Sequence, residues 1–120
     1  MSSAQPPVNI RVRKQSRVLE LEYADGTRYQ LAFELLRVYS PSAEVRGHGS
    51  GPGVLQTGKR DVAITGVNSV GNYALQLVFS DGHDSGLFTW HYLRELGEQQ
   101  EAYWQRYLRR LAAEGGSREG

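Results

Sequence analysis

Residues 73–93 read YALQLVFSDGHDSGLFTWHYL, and this stretch combines a strand, a turn and the start of a helix. Its first seven residues place large apolar side chains at every second position, as a half-buried β-strand does. Those of Tyr73, Leu75, Leu77 and Phe79 alternate with those of Ala74, Gln76 and Val78. The Asp81-Gly82 pair then predicts a turn, because glycine readily adopts the positive φ that tight turns require.

The residues after this turn predict a short strand followed directly by helices. Leu87-Phe88 is the last strand. Thr89 is a suitable N-cap, since its hydroxyl can accept a hydrogen bond from an amide of the first helical turn. We expect that helix to run to Leu96 and to end at Gly97, and a second helix to cover residues 98–113.

Upstream, residues 18–31 read VLELEYADGTRYQL and predict an antiparallel hairpin. The first run alternates in polarity, and Asp25-Gly26 supplies the residues preferred in a type I′ turn. Residues 33–39 carry apolar side chains at helical spacing and predict a short helical turn. Pro41 ends it, because the residue before a proline avoids the α region.

The middle of the chain, residues 40–60, is rich in Ser, Gly and Pro and predicts a long loop, a kind of segment that is either functional or mobile. A β-rich run over residues 61–70 follows, and Gly71-Asn72 can turn it. The pattern predicts an α+β fold with a small, mostly antiparallel β-sheet, a short helical turn after strand 2 and two C-terminal helices.

Length and composition limit the classes of protein and site. We expect one domain over residues 10–114, with flexible tails at 1–9 and 115–120. The 120 residues include no cysteine, which excludes disulfides and thiolate metal sites. The net charge of +1 gives no general attraction to nucleic acid, and no apolar run approaches the ~20 residues needed to span a membrane. With no secretory signal pattern at the start, we expect a cytoplasmic protein.

One local basic cluster stands out near the N-terminus, formed by Arg11, Arg13, Lys14 and Arg17. We interpret it as a solvated arm that leads into the first strand. The alternative is a phosphate-binding patch, but no aromatic residues are interleaved with these cations, as they often are in nucleic-acid sites.

His83 is the first candidate for chemistry, because Asp81 and Asp84 flank it. Such a histidine can ligate a metal or act as a base. A zinc or iron site needs three or four ligands, and the other histidines, His48 and His91, lie in different segments. The structural alternative is that His83 braces a tight turn.

The glycine-rich stretch GHGSGPG at residues 47–53 leads to Gly58-Lys59 and resembles a phosphate-binding loop in spacing. A true loop of this type continues with Ser or Thr and opens a helix, whereas Arg60 stands here and strand-like residues follow. We interpret the stretch as a flexible loop with a lysine.

No nucleophile is supported. Ser85 is adjacent to Asp84 and close to His83, but sequence neighbours point in different directions and no G-x-S-x-G elbow is present. We therefore expect no catalytic residues.

The last predicted helix carries an aromatic set at helical spacing: Tyr103, Trp104, Tyr107, Leu108 and Leu111. We expect Trp104, Leu108 and Leu111 to pack on the sheet. If the adjacent face with Tyr103 and Tyr107 is exposed, it is a surface for a partner, since tyrosine and tryptophan dominate interface anchors.

Three segments resemble one known family: LLR leading into SPSAEVRG (residues 35–37 and 40–47), VGNYAL (70–75), and DGHDSG (81–86) followed by Trp90 and Leu93. Over about residues 16–97 the chain resembles the gamma-butyrobetaine hydroxylase-like N-terminal domain, which in bacteria often stands alone. In the hydroxylases this domain precedes an iron- and 2-oxoglutarate-dependent catalytic domain. A similar domain is appended to Mrp-type P-loop ATPases that carry iron–sulfur clusters.

The resemblance also implies a zinc site in the hydroxylases, with three cysteines and one histidine. Ser40, Ser42 and about Val45 stand where those cysteines fall, and His83 matches the histidine. We therefore expect no cofactor, with zinc or iron as the alternative despite the missing cysteines.

Two functions follow as hypotheses. The first is a non-enzymatic module that binds a protein, with a link to iron or iron–sulfur metabolism and no specific nucleic-acid or membrane partner. Its candidate residues are Arg37, Ser40, Glu44, Arg46, His48, Asp81, His83 and Asp84. The second is a metal-binding protein that uses His83 with Asp81, Asp84 or His48. Both depend on the 40–53 loop and the His83 turn meeting at one end of the sheet.

Overall fold

A computed structural model describes residues 5–42 and 55–119. The described chain forms two three-stranded antiparallel sheets and three helices, which confirms the α+β prediction, although the strands divide between two sheets. The strands are β1 (Asn9–Arg13), β2 (Val18–Glu22), β3 (Arg28–Ala32), β4 (Ile64–Val70), β5 (Ala74–Phe79) and β6 (Leu87–Thr89), and the helices are α1 (Phe33–Val38), α2 (Trp90–Glu98) and α3 (Gln100–Glu114).

The first sheet has the strand order β1-β2-β3. Its predicted hairpin is confirmed, since β2 pairs with β3. The connecting turn is not of type I′, because Gly26 has φ +90° but Asp25 does not have a positive φ. The Asp25 carboxylate accepts a hydrogen bond from the Thr27 amide at 3.0 Å, which fixes the turn. Leu19 lies opposite Leu31, so both side chains face the same buried side of the sheet.

The basic segment before this hairpin is itself a strand, so the interpretation of a solvated arm was wrong for Arg11 and Arg13. Both residues lie in β1, which pairs with β2. The Arg13 Nε donates to Glu20 Oε1 at 2.6 Å across the pair. The strand begins within the segment expected to be a tail, since the Val8 amide already donates to the Glu22 carbonyl at 2.7 Å.

The second sheet has the strand order β4-β5-β6. The alternation read from residues 73–79 gives β5, whose Leu75, Leu77 and Phe79 are buried. β4 pairs with β5 with a shift in register between Ile64 and Gly66.

Both sheets and two of the helices contribute to one hydrophobic core. The first sheet provides Leu19, Leu21 and Leu31, α1 provides Leu36, the second sheet provides Leu75, Leu77, Phe79 and Phe88, and α2 provides Leu93 and Leu96. Each of these side chains is almost fully inaccessible to solvent, so removal of this apolar surface from water is the main stabilising contribution.

Helix α2 begins as predicted but ends later. The Thr89 hydroxyl accepts a hydrogen bond from the Tyr92 amide at 3.1 Å, which confirms the N-cap. Gly97 does not end the helix, which continues to Glu98. Gly97 is instead buried where a Cβ would overlap the Tyr29 ring, so glycine is required for the close approach of α2 to β3.

Helix α3 packs mainly through Tyr107 and Leu111, which form a small buried cluster with Val38 of α1. Tyr107 is buried, so the alternative that it forms part of an exposed surface for a partner was wrong. Tyr103 is half-buried and its hydroxyl donates to the Glu95 carboxylate.

The segment after α3 returns to the body of the molecule. Gly115, with φ +69°, ends the helix in the left-handed conformation. The Gly58 amide then donates to the Ser117 carbonyl at 2.9 Å, and the Arg60 amide to the Arg118 carbonyl at 3.1 Å. These contacts were not anticipated for a segment expected to be a flexible tail. Within residues 5–42 and 55–119, no helix is long and apolar enough to cross a membrane.

Candidate functional site

His83 lies in the connection between β5 and β6 and is buried, with 6% of its surface exposed. Backbone hydrogen bonds hold the turn: the Phe79 amide donates to the His83 carbonyl at 2.9 Å, and the His83 amide donates to Asp81 Oδ1 at 3.3 Å. Gly82 has φ +89°, a conformation that an L side chain rarely adopts. The D-G-H sequence therefore directs the His83 ring inward.

Two serines that follow α1 meet this ring. The Ser40 Oγ lies 2.8 Å and the Ser42 Oγ 3.3 Å from His83 Nε2. Both serines are buried, so the contacts are shielded from water. Residues 40–42 open the long loop, and they meet the β5–β6 connection as the sequence predicted.

Gly86 makes this arrangement sterically feasible. It is buried, and a Cβ at this position would overlap the Ser40 Oγ and lie 3.3 Å from Pro41 Cδ. A larger residue would therefore push the Ser40 segment away from His83.

A partly buried ion-pair cluster flanks the histidine. Arg37 of α1 donates from Nε to Asp81 Oδ2 at 2.8 Å and from Nη1 to Gln56 Oε1 at 3.1 Å. Lys59 also donates to Asp81 Oδ2 at 2.8 Å. Burial raises the pKa of Asp81, but the hydrogen bonds from Lys59, Arg37 and the His83 amide outweigh it, so the pKa falls to about 2. The carboxylate is thus ionised at neutral pH and ties three segments together.

We refer to Arg37, Ser40, Ser42, Asp81 and His83 as the His83 corner. Of the predicted candidates, the structure brings together Arg37, Ser40, Asp81 and His83. Asp84 lies beside them with an exposed side chain, and its carbonyl accepts from Gln76 Nε2 at 2.9 Å. The candidates Glu44, Arg46 and His48 lie outside the described residues, as does the glycine-rich stretch 47–53.

The Ser40–His83 pair has the atomic separation of a nucleophile and its base, but its surroundings indicate a structural role. Ser40 is 1% exposed. In the described part of the chain, its Oγ is therefore not accessible to a substrate carbonyl. The Asp81 carboxylate accepts from the backbone of His83 at Oδ1, whereas in a catalytic triad the acid orients the ring. The contacts hold the segment after α1 against the β5–β6 connection.

The residues present do not fit the zinc ion that the family resemblance implies. The serines stand where two cysteine ligands are expected, and the structure brings them to His83, but both hydroxyls bond Nε2, a nitrogen a metal would use. Neutral hydroxyls also lack the charge of thiolates, the ligands of structural zinc. Across the described part of the chain, no group of three or more His, Asp or Glu residues could hold a metal ion.

Four contributors were missed by the sequence reasoning. Ser42 was considered only as a replaced cysteine, and Lys59 and Gln56 were assigned to a loop without contacts. The signal for Gly86 was present in the D-G-H-D-S-G string, where the second glycine has no turn of its own to explain it. The contacts of Lys59 and Gln56 join distant segments, and no local pattern encodes them.

Comparison with known proteins places the chain in a family. A solution structure with a TM-score of 0.84 is 50% identical and covers 98% of this chain and 92% of its own. A second solution structure, also with a TM-score of 0.84, is 46% identical and covers 98% and 88%. A crystal structure of a protein of unknown function in the DUF971 family, from Acidithiobacillus ferrooxidans, has a TM-score of 0.63 and 46% identity, and covers 76% and 91%.

No curated protein matches the chain. Residues 10–94 match the family described as "Gamma-butyrobetaine hydroxylase-like, N-terminal", which is more than half of the chain. The chain therefore belongs to the gamma-butyrobetaine hydroxylase-like N-terminal domain family.

Proposed function

We propose that this protein is a non-catalytic module of the cytoplasm that binds another protein through the surface around the His83 corner. The observation that carries the proposal is the pair of contacts from Ser40 and Ser42 to His83, which fix two polar connections to each other across 43 and 41 residues of sequence. A rigid polar corner of this kind presents the residues around it in a fixed geometry, which reduces the entropy lost on binding.

The groups available to a partner lie at the edge of the corner. Asp84 and Ser85 are exposed on the His83 turn, and the Gln76 side chain fixes the turn backbone through its bond to the Asp84 carbonyl. Lys59, on the other side of Asp81, keeps part of its side chain accessible. A surface that presents the Lys59 ammonium and the exposed Asp84 carboxylate favours a partner of complementary charge pattern, since charge complementarity provides specificity.

The family resemblance suggests which partners to test first. Because related domains precede iron-dependent hydroxylases or are appended to Mrp-type ATPases, we propose proteins of iron or iron–sulfur metabolism as candidates. This link is an analogy at the level of the family.

The test is quantitative co-purification from native cells. Tagged wild-type protein is compared with Asp84→Lys, Lys59→Ala and a control, Arg109→Glu, which changes an exposed charge on α3. We expect a partner that the wild type and the control retain, and whose recovery Asp84→Lys and Lys59→Ala each reduce at least tenfold. If every co-purifying protein binds all four forms equally, the corner is not the recognition surface.

A further inference from the structure

Glu34 is a buried carboxylate on α1, with 6% of its surface exposed. The cation that contacts it is Arg118, which is 84 residues away in the segment after α3. The Arg118 Nη2 lies 2.8 Å from Oε1 and its Nε lies 2.9 Å from Oε2. These two bonds form the bidentate fork that a planar guanidinium makes with a carboxylate.

Aromatic side chains of α3 complete the surroundings of this guanidinium. The Arg118 Cζ lies 5.1 Å from the centroid of a Trp104 ring, within the range of a cation–π contact. The Tyr107 hydroxyl donates to Glu34 Oε2 at 3.4 Å and to the Gln56 carbonyl at 3.2 Å. Burial and the neighbouring Glu34 raise the pKa of Tyr107 to about 12, so this hydroxyl keeps its proton at neutral pH.

The polar groups of the pocket are buried, whereas the side chain that occupies it is partly exposed. Glu34 and Tyr107 are buried, and their helices pack against each other through Val38 and Leu111. Arg118 comes from a short segment, residues 115–119, which we term the strap. The strap joins residues 58–60 through backbone hydrogen bonds at 2.9 and 3.1 Å, and the side chain of Arg118 is 36% exposed.

We propose that Glu34, Trp104 and Tyr107 form a binding pocket for a guanidinium group, which Arg118 fills in cis and which accepts an arginine side chain of a partner protein when the strap is displaced. This pocket is separate from the surface around the His83 corner, and the proposal does not depend on the function assigned to that corner. The occupant seen in the structure defines the chemistry: a carboxylate fork with an aromatic face suits arginine and not lysine.

A partner arginine can enter the pocket only when Arg118 of the strap has left it. An arginine attached to the same chain is present at a high effective concentration, so a free arginine compound cannot compete with it. Loss of the Arg118 side chain leaves the Glu34 carboxylate buried without this partner, which is unfavourable and which an added guanidinium can relieve. The wild type is therefore expected to be insensitive to a small arginine compound, and a variant without the Arg118 side chain sensitive to it.

The test is chemical rescue of Arg118→Ala in the full chain by N-acetyl-arginine amide. We expect this variant to unfold at a lower temperature than the wild type, and millimolar compound to raise its midpoint by several degrees in a saturable manner. The indole resonance of Trp104 should shift over the same concentration range. The wild type and Arg109→Ala, which removes an exposed arginine of α3, should not respond.

Two controls isolate the pocket. In Glu34→Gln/Arg118→Ala the carboxylate is absent, so rescue should disappear, and N-acetyl-lysine amide should give less than a fifth of the effect on Arg118→Ala. Absence of a saturable response, or an equal response in the double variant or to the lysine compound, overturns the proposal. If Arg118→Ala is unfolded on its own, the same titration is followed by far-ultraviolet circular dichroism, and failure to regain helix on addition of the arginine compound likewise overturns it.

Discussion

Ser40 Oγ lies 2.8 Å from His83 Nε2, and the two residues are separated by 43 positions in sequence. This contact joins the end of α1 to the β5–β6 connection and is buried on both sides. Its geometry depends on Gly86, whose missing side chain leaves room for the Ser40 hydroxyl.

Gly86→Ala should therefore destabilise the protein. The new Cβ would overlap the Ser40 Oγ, and overpacking of this kind typically costs about 1–3 kcal/mol. The free energy of unfolding in urea measures the effect. In Ser40→Ala/Gly86→Ala the clash with the hydroxyl is absent, so the double variant should lose less than the sum of the single losses. Additive losses would show that the two residues do not interact.

Asp81 should make stability depend on pH in the acid range. Its folded pKa of about 2 is below the ordinary 3.8, so the carboxylate stabilises the folded state above pH ~4 and this contribution is lost as the pH falls through the folded pKa. We expect up to about 2 kcal/mol from this group. Urea unfolding at pH 6 and pH 3 measures it. Asp81→Asn should be less stable at pH 6 and show a smaller loss between the two pH values. An unchanged difference in this variant would assign the acid sensitivity to other groups, and the exposed Asp84→Asn serves as control.

Gly97→Ala should lower the stability of the protein, although alanine has a higher helix propensity than glycine. In an open helix, alanine is more favourable than glycine by about 1 kcal/mol. At this position the added methyl would overlap the Tyr29 ring, so α2 or β3 must move and we expect a net loss of about 1–3 kcal/mol. Thermal unfolding of this variant decides between the two effects. A rise in its midpoint would mean that the close contact between α2 and β3 is not maintained.

Metal content can be tested at the two serines. Elemental analysis of the purified wild type should give no stoichiometric zinc, because hydroxyls replace thiolates beside His83. Ser40→Cys/Ser42→Cys supplies two sulfur ligands next to this histidine and should bind zinc measurably in competition with a chromogenic chelator. Ser16→Cys/Ser69→Cys, which adds two thiols at exposed positions outside the His83 turn, is the matched control. Stoichiometric zinc in the wild type would contradict the prediction that His83 and the two serines do not hold this ion.

Local signals in the sequence predicted most of the second sheet and the helix starts. Asp25-Gly26 and Thr89 act through bonds to residues two or three positions away, so their effects can be read from a short window. β1 was missed although Ile10 and Val12 alternate with the charged residues, because the positive charges favoured an exposed arm.

Long-range contacts could not be predicted in the same way. The division into two sheets depends on which strands pair, and strand patterns alone do not contain that information. The meeting of Ser40 with His83 was expected only because both connections were rich in polar residues and matched one family. By contrast, the Glu34–Arg118 ion pair joins residues that look like ordinary surface charges in the sequence.

Thr89 belongs to two elements at once: it is the final residue of β6, and its hydroxyl caps α2. No linker separates the two elements, so the position of β6 sets where α2 begins. Near the other end of α2, Gly97 lies against the Tyr29 ring of β3. Helix α2 therefore bridges the two sheets, with one end joined directly to β6 and the other packed against β3.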